Sequence, residues 1–199
     1  MSGASCGARR ASRTLRRMAT IRWVSKVGIE PRLIYRAQVE LVAPRRARTL
    51  LIEGPIRNVG LPYRAPHGVA ARSPFDHRGH LIAERFGGPN RGINLVPMHG
   101  LVNMSGGPWY EMETEIAAML PSEVDGPSGP TIKQGTGTMK VTVQYHESNS
   151  LRPVRFHVEA SDKNGMRRFW QIANWNPYLK SPQMEAALDR LAADVANDW

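Results

Sequence analysis

Asp76-His-Arg-Gly-His-Leu-Ile-Ala-Glu-Arg-Phe-Gly-Gly-Pro-Asn-Arg-Gly-Ile-Asn-Leu-Val-Pro-Met98, continuing through Asn103 and Trp109 to Glu113, gathers polar side chains, turns and a helix start into one short run. It places His80 behind an Arg-Gly step, follows it with two glycine-bearing turns and two asparagines (Asn94 and Asn103), and then opens a helix. Short apolar patches at His80–Ala83 and Ile93–Val96 flank the turn signal Gly87-Gly-Pro-Asn90. Pro108 suits the first helical position, where its missing N–H costs nothing. From there Trp109, Met112, Ile116, Ala117 and Leu120 recur at helical spacing, with Glu111, Glu113 and Glu115 between them, and Pro121 ends the run. Two readings fit these residues: a base and a hard-metal ligand facing one another, or a polar loop between two core elements.

On the N-terminal side the pattern is strand-like from Ile21, through Ile34, Ala37, Val39 and Leu41-Val42, and again over Thr49–Ile52, closed by Gly54-Pro55. The proline-rich segment 62–74 reads as an exposed connection. On the C-terminal side, residues 122–137 read as a loop rich in Gly, Pro, Ser and Thr. Lys140–Tyr145 and Val154–Val158 alternate as strands, Phe169–Ile172 is a third, and Gln183–Val195 has the pattern of an amphipathic helix. There is no βαβ rhythm, so the expected class is α+β, with an antiparallel sheet and a C-terminal helix. The expected organisation is a basic, disordered arm over 1–20 and a single domain over 21–199, with its core motif at 76–120.

An apolar share of 41% and a charged share of 22% are those of a globular chain able to bury a core. The net charge of +10 favours polyanionic partners. That surplus is concentrated: before Glu30 there is no acid, while Arg9, Arg10, Arg13, Arg16, Arg17, Arg22 and Lys26 supply seven positive charges and leave +3 for the rest. Cys6 is the only cysteine, which excludes an intramolecular disulfide and a zinc site built on paired thiolates. No apolar run approaches the roughly 20 residues of a membrane span, and the start lacks the apolar core of a secretory signal. The Arg- and Ser-containing arm suits a nucleic-acid-binding tail as well as a mitochondrial presequence, the latter the less favoured. The expected location is the cytoplasm, or outside the producing cell as a delivered protein.

Within the central stretch, a neutral His80 is matched to accept a proton near neutral pH. An Asn carbonyl oxygen is a hard, neutral ligand for magnesium, which keeps most of its waters when a protein offers one or two ligands, and Asn103 stands just before the helix. Glu113, one turn past Trp109, is positioned to hold a metal-bound water, and Arg78 to contact a phosphate. Each has a plainer account: a His beside Gly is often a turn residue, Asn94 and Asn103 can be turn residues bonding their own backbone, and Glu111, Glu113 and Glu115 can be the solvated face of a helix.

These residues resemble a known family. Asp76-His-Arg-Gly-His80, Arg85-Phe-Gly-Gly88, Asn94-Leu-Val-Pro97, Asn103, and Trp109 with Glu113 look like the core of the DNA/RNA non-specific endonucleases, of the ββα-metal (His-Me finger) superfamily, in the branch found as nuclease domains of bacterial polymorphic toxins. Weaker similarity continues through Val141–Tyr145, Ser150–Pro153 and Phe156 to Asn174. The resemblance implies a central ββα-metal motif and a mechanism: His80 activates water, Asn103 holds one Mg²⁺ (Mn²⁺ being the alternative) at the scissile phosphate, Glu113 holds water, Arg78 contacts phosphate, and the products carry 5′-phosphates. Asn94 and Asp76 would support the site. His77 stands where better-known members have Asp, and Asp76 is one place earlier. The Asn103–Trp109 interval is two residues longer than the family's Asn-x-Gly-x-Trp; aligned back from Trp109, Ser105 would take the ligand position, but Ser is the poorer magnesium ligand and the count forward from Asn94 gives Asn103.

The leading expectation is a metal-dependent, sequence-non-specific endonuclease acting on DNA or RNA, with a toxin role and an inhibitor (immunity) protein as partner implied by the resemblance. The alternative is a basic nucleic-acid-binding protein with a degenerate, inactive nuclease fold.

Overall fold

The computed structural model describes residues 20–28, 33–43, 46–58, 74–120, 122–125, 131–134 and 136–179, together with 183, 184, 186, 187 and 190. In chain order the strands are β1 (Thr20–Val27), β2 (Ile34–Ala43), β3 (Arg46–Arg57), β4 (Asp76–His80), β5 (Leu95–His99), β6 (Ser122–Asp125), β7 (Thr131–Gln134), β8 (Thr136–Gln144), β9 (Arg155–Asp162) and β10 (Arg167–Ala173). Helices α1 (Gly100–Asn103) and α2 (Pro108–Met119) follow β5.

Period-two sequence builds the main sheet. In β8, Met139, Val141 and Val143 are buried while Lys140, Thr142 and Gln144 face water, and β9 buries Phe156, Val158 and Ala160 in the same way. Six strands pair in the order β1-β2-β3-β8-β9-β10, every neighbour antiparallel. With helices and separate small sheets beside it, the architecture is α+β.

β3 runs past the Gly54-Pro55 pair at which the sequence pattern closes it. Pro55 carries no N–H for a ladder, but β2 stops pairing at Glu53, so Pro55 has only β8 beside it, opposite Thr138. The segment 122–137, read as a loop, instead contains the hairpin β6–β7 and the start of β8. Its polar composition hides strands that pair only with each other.

The buried face of the sheet carries Tyr35, Ala37, Ile52, Ile56, Val141, Phe156 and Ile172. Against it lies a layer made of β4 and β5, the loop that connects them and α2, which contributes Leu81, Ile82, Phe86, Met98, Trp109, Met112 and Ile116 to the same core. Burying each large side chain is worth about 1.5–3 kcal/mol. Trp109 meets Phe156 of β9 edge to face at 4.9 Å, fixing α2 on the sheet. Pro108 is the first residue of α2, as its lack of an N–H favours. The C-terminal helix read over 183–195 lies largely outside the described residues; the five described there are helical. The arm 1–19 and most of the 62–74 connection also lie outside them.

Candidate active site

Asp76–His80 is a strand although its sequence has no apolar alternation. It is held by β5, with Asp76 opposite His99 and His80 opposite Leu95. Asp76, Arg78 and His80 therefore share one face of β4, and His77 and Gly79 share the other. Gly79 is required by close packing: a Cβ there would stand 2.6 Å from the Met98 Cβ. Buried Met98 thus lies directly over the residue before His80 and anchors the strand end.

After His80 the chain bends sharply, and Asn94 holds the bend. The Leu81 N–H donates to the Asn94 carbonyl at 2.8 Å. The fully buried Asn94 carboxamide accepts from the Ile82 N–H at 2.8 Å and donates to the carbonyls of Ile82 at 2.7 Å and Pro89 at 3.0 Å. Its polar atoms are thus occupied by backbone, and it acts as a clamp on the 81–89 loop.

His80 is 9% exposed. Its Nε2 lies 3.3 Å from Asn90 Oδ1; with that oxygen accepting, the ring carries its proton on Nε2 and keeps a lone pair on Nδ1. Burial lowers the proton affinity of the imidazole, opposed by the Glu84 carboxylate and the bond to Asn90. The ring is therefore neutral, and able to accept a proton, at neutral pH.

Glu113 is partly buried on α2 rather than on its solvated face. Trp109 Nε1 donates to its Oε1 at 2.9 Å, one helical turn away. Burial pushes its carboxyl up to about 7, against the bond from Trp109 and the charge of Arg85. Glu84 and Arg85 are adjacent in the 3₁₀ turn Glu84–Phe86. One short turn after His80 thus sets an acid toward His80 and a base toward Glu113, linking the strand side to the helix side. Glu84, Arg85 and Asn90 carried no role in the sequence reading. Arg85 and Asn90 stood within the quoted motif and turn but with no role attached, and the signal for Glu84 was its position four residues after His80.

Asn103 ends α1, a single helical turn that the sequence pattern did not announce. Its half-buried carboxamide has no hydrogen-bond partner among the described residues. The interval before Trp109 is a tight turn: the Gly107 N–H donates to the Met104 carbonyl at 2.9 Å and the Glu111 N–H to the Gly107 carbonyl at 3.0 Å, starting α2. Gly106 takes φ 81°, and a Cβ on Gly107 would stand 2.3 Å from the Leu101 carbonyl oxygen. The two extra residues are thus absorbed by glycines, and Ser105 is exposed on this turn.

Arg78 is exposed on the His80 face of β4. Asp76 lies four residues from His80, about 13 Å along the strand. Its buried carboxylate is gripped by Arg152, with Nε at 3.1 and 3.0 Å from the two oxygens and Nη2 at 3.0 Å from Oδ1. The structure therefore relates Asp76 to the hairpin's attachment rather than bringing it to His80.

Among the described residues no three His, Cys, Asp or Glu side chains converge on one point. Asn103 has a side-chain oxygen with no hydrogen-bond partner among the described residues, and Glu113 is a partly buried carboxylate on α2. One neutral oxygen and outer-sphere water suit a hard cation such as Mg²⁺ that keeps most of its hydration. The residues present fit a group of that kind.

The family model described as DNA/RNA non-specific endonuclease matches residues 62–164. Among curated proteins, the Type VII secretion system protein EssD of Staphylococcus aureus strain USA300 is 37% identical over 106 residues, 52% of this chain and 15% of that protein. The EssD proteins of strains NCTC 8325 and Newman match to the same extent. The chain thus spans about a seventh of the curated relatives it matches. Among solved structures, NucA from Streptococcus agalactiae with no metal bound matches with a TM-score of 0.44 and 16% identity, over 80% of this chain and 72% of that one. The same protein with magnesium ion bound matches with a TM-score of 0.43 and 16% identity, over 78% and 84%. The family match covers half of the chain, a span that includes His80, Asn94, Asn103 and Glu113, and the chain belongs to the DNA/RNA non-specific endonuclease family.

Proposed function

We propose that this chain is a divalent-metal-dependent endonuclease that hydrolyses phosphodiesters of DNA or RNA without regard to sequence. One observation carries the reading: His80 is a buried, neutral imidazole whose Nε2 is engaged by Asn90, which leaves Nδ1 to accept a proton. His80 takes the proton of the attacking water, the new bond forms from that oxygen to phosphorus, the bond from phosphorus to the 3′ oxygen breaks, and the leaving oxygen takes a proton from solvent water, giving 5′-phosphate and 3′-hydroxyl ends. Asn103 is the residue that would hold Mg²⁺ or Mn²⁺, and the cation, when bound, supplies Lewis-acid neutralisation of charge on the phosphate and leaving oxygen. Glu113 would orient a water through its carboxylate, and Arg78 binds a phosphate oxygen. Contacts confined to phosphate and sugar carry no sequence information, which accounts for non-specific cleavage.

The test is degradation of plasmid and of RNA by the full chain, with and without EDTA, beside His80→Ala. The expected result is metal-dependent cutting, reduced about 10²–10⁴-fold in the variant. A variant that cuts at the wild-type rate overturns the assignment of the base. The longer turn between Asn103 and Trp109 supports a second reading, a nucleic-acid-binding protein without activity. Salt-sensitive binding with no metal-dependent nicking selects it. The similarity to a stretch of a secretion-system protein supports a delivered toxin role with a dedicated inhibitor protein as partner; growth unaffected by expression of the wild-type domain counts against that role.

A further inference from the structure

His99 takes no part in the proposed chemistry, yet it is 3% exposed and held from two directions. Its N–H donates to Asn174 Oδ1 at 2.8 Å, and its ring lies 6.3 Å from that of Phe75. It is the residue immediately before α1, with φ −55° and ψ 133°, outside the helical region. From there its Nδ1 accepts the Leu101 N–H at 3.2 Å. A backbone N–H only donates, so that nitrogen carries no proton and the ring is neutral, with its hydrogen on Nε2.

The first N–H groups of any helix lack partners inside it. In α1 that shortage falls on the whole element, because a single turn fixes several residues for very few hydrogen bonds and does not hold by itself. Gly100, its first residue, adds the low helix propensity of glycine. The turn is held by the Gly100 N–H on the Phe75 carbonyl at 2.8 Å, the Leu101 N–H on His99 Nδ1, and the Met104 N–H on the Gly100 carbonyl at 2.8 Å. Of these three, the His99 bond is the one that depends on the identity of a side chain. Asn103, which would hold the metal, is the last residue of the same turn. We propose that His99 is a positioning residue for that ligand: its neutral Nδ1 caps α1 and keeps formed the turn that presents Asn103. A turn that is open part of the time lowers the binding-competent fraction, and apparent metal affinity falls in proportion. The proposal rests on the nuclease reading for the role of Asn103. It adds that metal affinity, as distinct from proton transfer to His80, depends on a buried imidazole four residues before the ligand.

The test is Mn²⁺ binding to the full chain without nucleic acid, followed by the EPR signal of the free ion, in wild type, Asn103→Ala, His99→Asn and His99→Phe. Asn carries an acceptor oxygen where His carries Nδ1 and ranks among the best capping residues. Phe keeps a ring beside Phe75 and offers no acceptor. His99→Phe is expected to weaken Mn²⁺ binding roughly 2- to 30-fold, and His99→Asn to retain it. Equal weakening in His99→Asn and His99→Phe assigns the effect to ring packing and overturns the proposal. Binding lost in Asn103→Ala but kept in His99→Phe overturns the positioning alone. Binding indifferent to Asn103→Ala sinks the ligand assignment of the nuclease reading, and the positioning with it. One measurement needs no variant to fold: in wild-type protein, ¹⁵N NMR is expected to place the His99 proton on Nε2, with the Leu101 amide protected from exchange. A proton on Nδ1 overturns the proposal directly.

Discussion

At the scale of single residues, the two titrating groups are tuned in opposite directions by burial. His80 is lowered from its ordinary value, so its contribution to stability is complete above the ordinary imidazole range and is lost as pH falls through the lowered one. The acid limb of activity due to His80 is therefore expected below pH ~6.5. Glu84 opposes the effect of burial, so Glu84→Gln should move that limb further toward acid, and a limb that stays in place in a pH–rate profile removes Glu84 from the site's electrostatics. Glu113 is an acid raised to about 7. Between the unfolded value and that one, the folded state binds more protons than the unfolded state, so its contribution to stability is present at low pH and declines as pH rises to about 7. Glu113→Gln keeps an oxygen for the Trp109 N–H and removes the titration. It should raise stability by about 3 kcal/mol at pH 8 and leave it unchanged at pH 4, while abolishing most nuclease activity; thermal melts at the two pH values check the first part, and an equal shift at both refutes the titration argument.

At the scale of elements, legibility followed periodicity. β8 and β9 announce themselves by strict alternation, and α2 by its apolar spacing and Pro108. β4 was not legible as a strand because Asp-His-Arg-Gly-His has no apolar face of its own; its conformation comes from pairing with β5. α1 is one turn long and too short to show a period. The residues of the site were legible in part for the same reason. His80, Asn103 and Glu113 stand out by chemistry and motif, but Asn90, Glu84 and Arg85 matter only through where the loop folds back, and that fold is set by the Asn94 clamp. The turn between α1 and α2 makes a prediction at this scale. A Cβ on Gly107 would meet two backbone carbonyls, those of Leu101 and Val102, at 2.3 and 2.5 Å, and neither can swing away. Gly107→Ala should destabilise by about 1–3 kcal/mol, and because relief requires shifting α1, metal-dependent activity should fall in the protein that remains folded. Denaturation midpoints and nicking rates measured on the same preparation test both, and an unchanged midpoint would mean that the turn is looser than its packing indicates.

At the scale of the whole molecule, the catalytic layer must be fastened to a sheet built from distant sequence. That fastening lies at the end of the hairpin opposite His80. Arg152, in the connection between β8 and β9, pairs with buried Asp76 and donates through Nη1 to the Asn174 carbonyl at 3.0 Å, just past β10. The Asn174 side chain in turn accepts the His99 N–H at 2.8 Å and donates to the carbonyls of Pro97 at 3.0 Å and Pro153 at 2.9 Å. Two side chains thus tie β4 and β5 to the end of the sheet, and neither touches His80. Removing one member of a buried ion pair leaves a charge with no compensation, a cost of about 3–5 kcal/mol, whereas removing both charges relieves it. Arg152→Ala should therefore lose more stability than Asp76→Ala and Arg152→Ala combined in one chain lose beyond Asp76→Ala alone. A double-mutant cycle by denaturant unfolding measures the difference, and strictly additive losses would show that Asp76 draws its compensation elsewhere. Because the fastening lies about 13 Å along β4 from His80, the surviving folded fraction of Arg152→Ala should keep the wild-type pH limb while its rate falls. A displaced limb would mean that the attachment also sets the environment of the base.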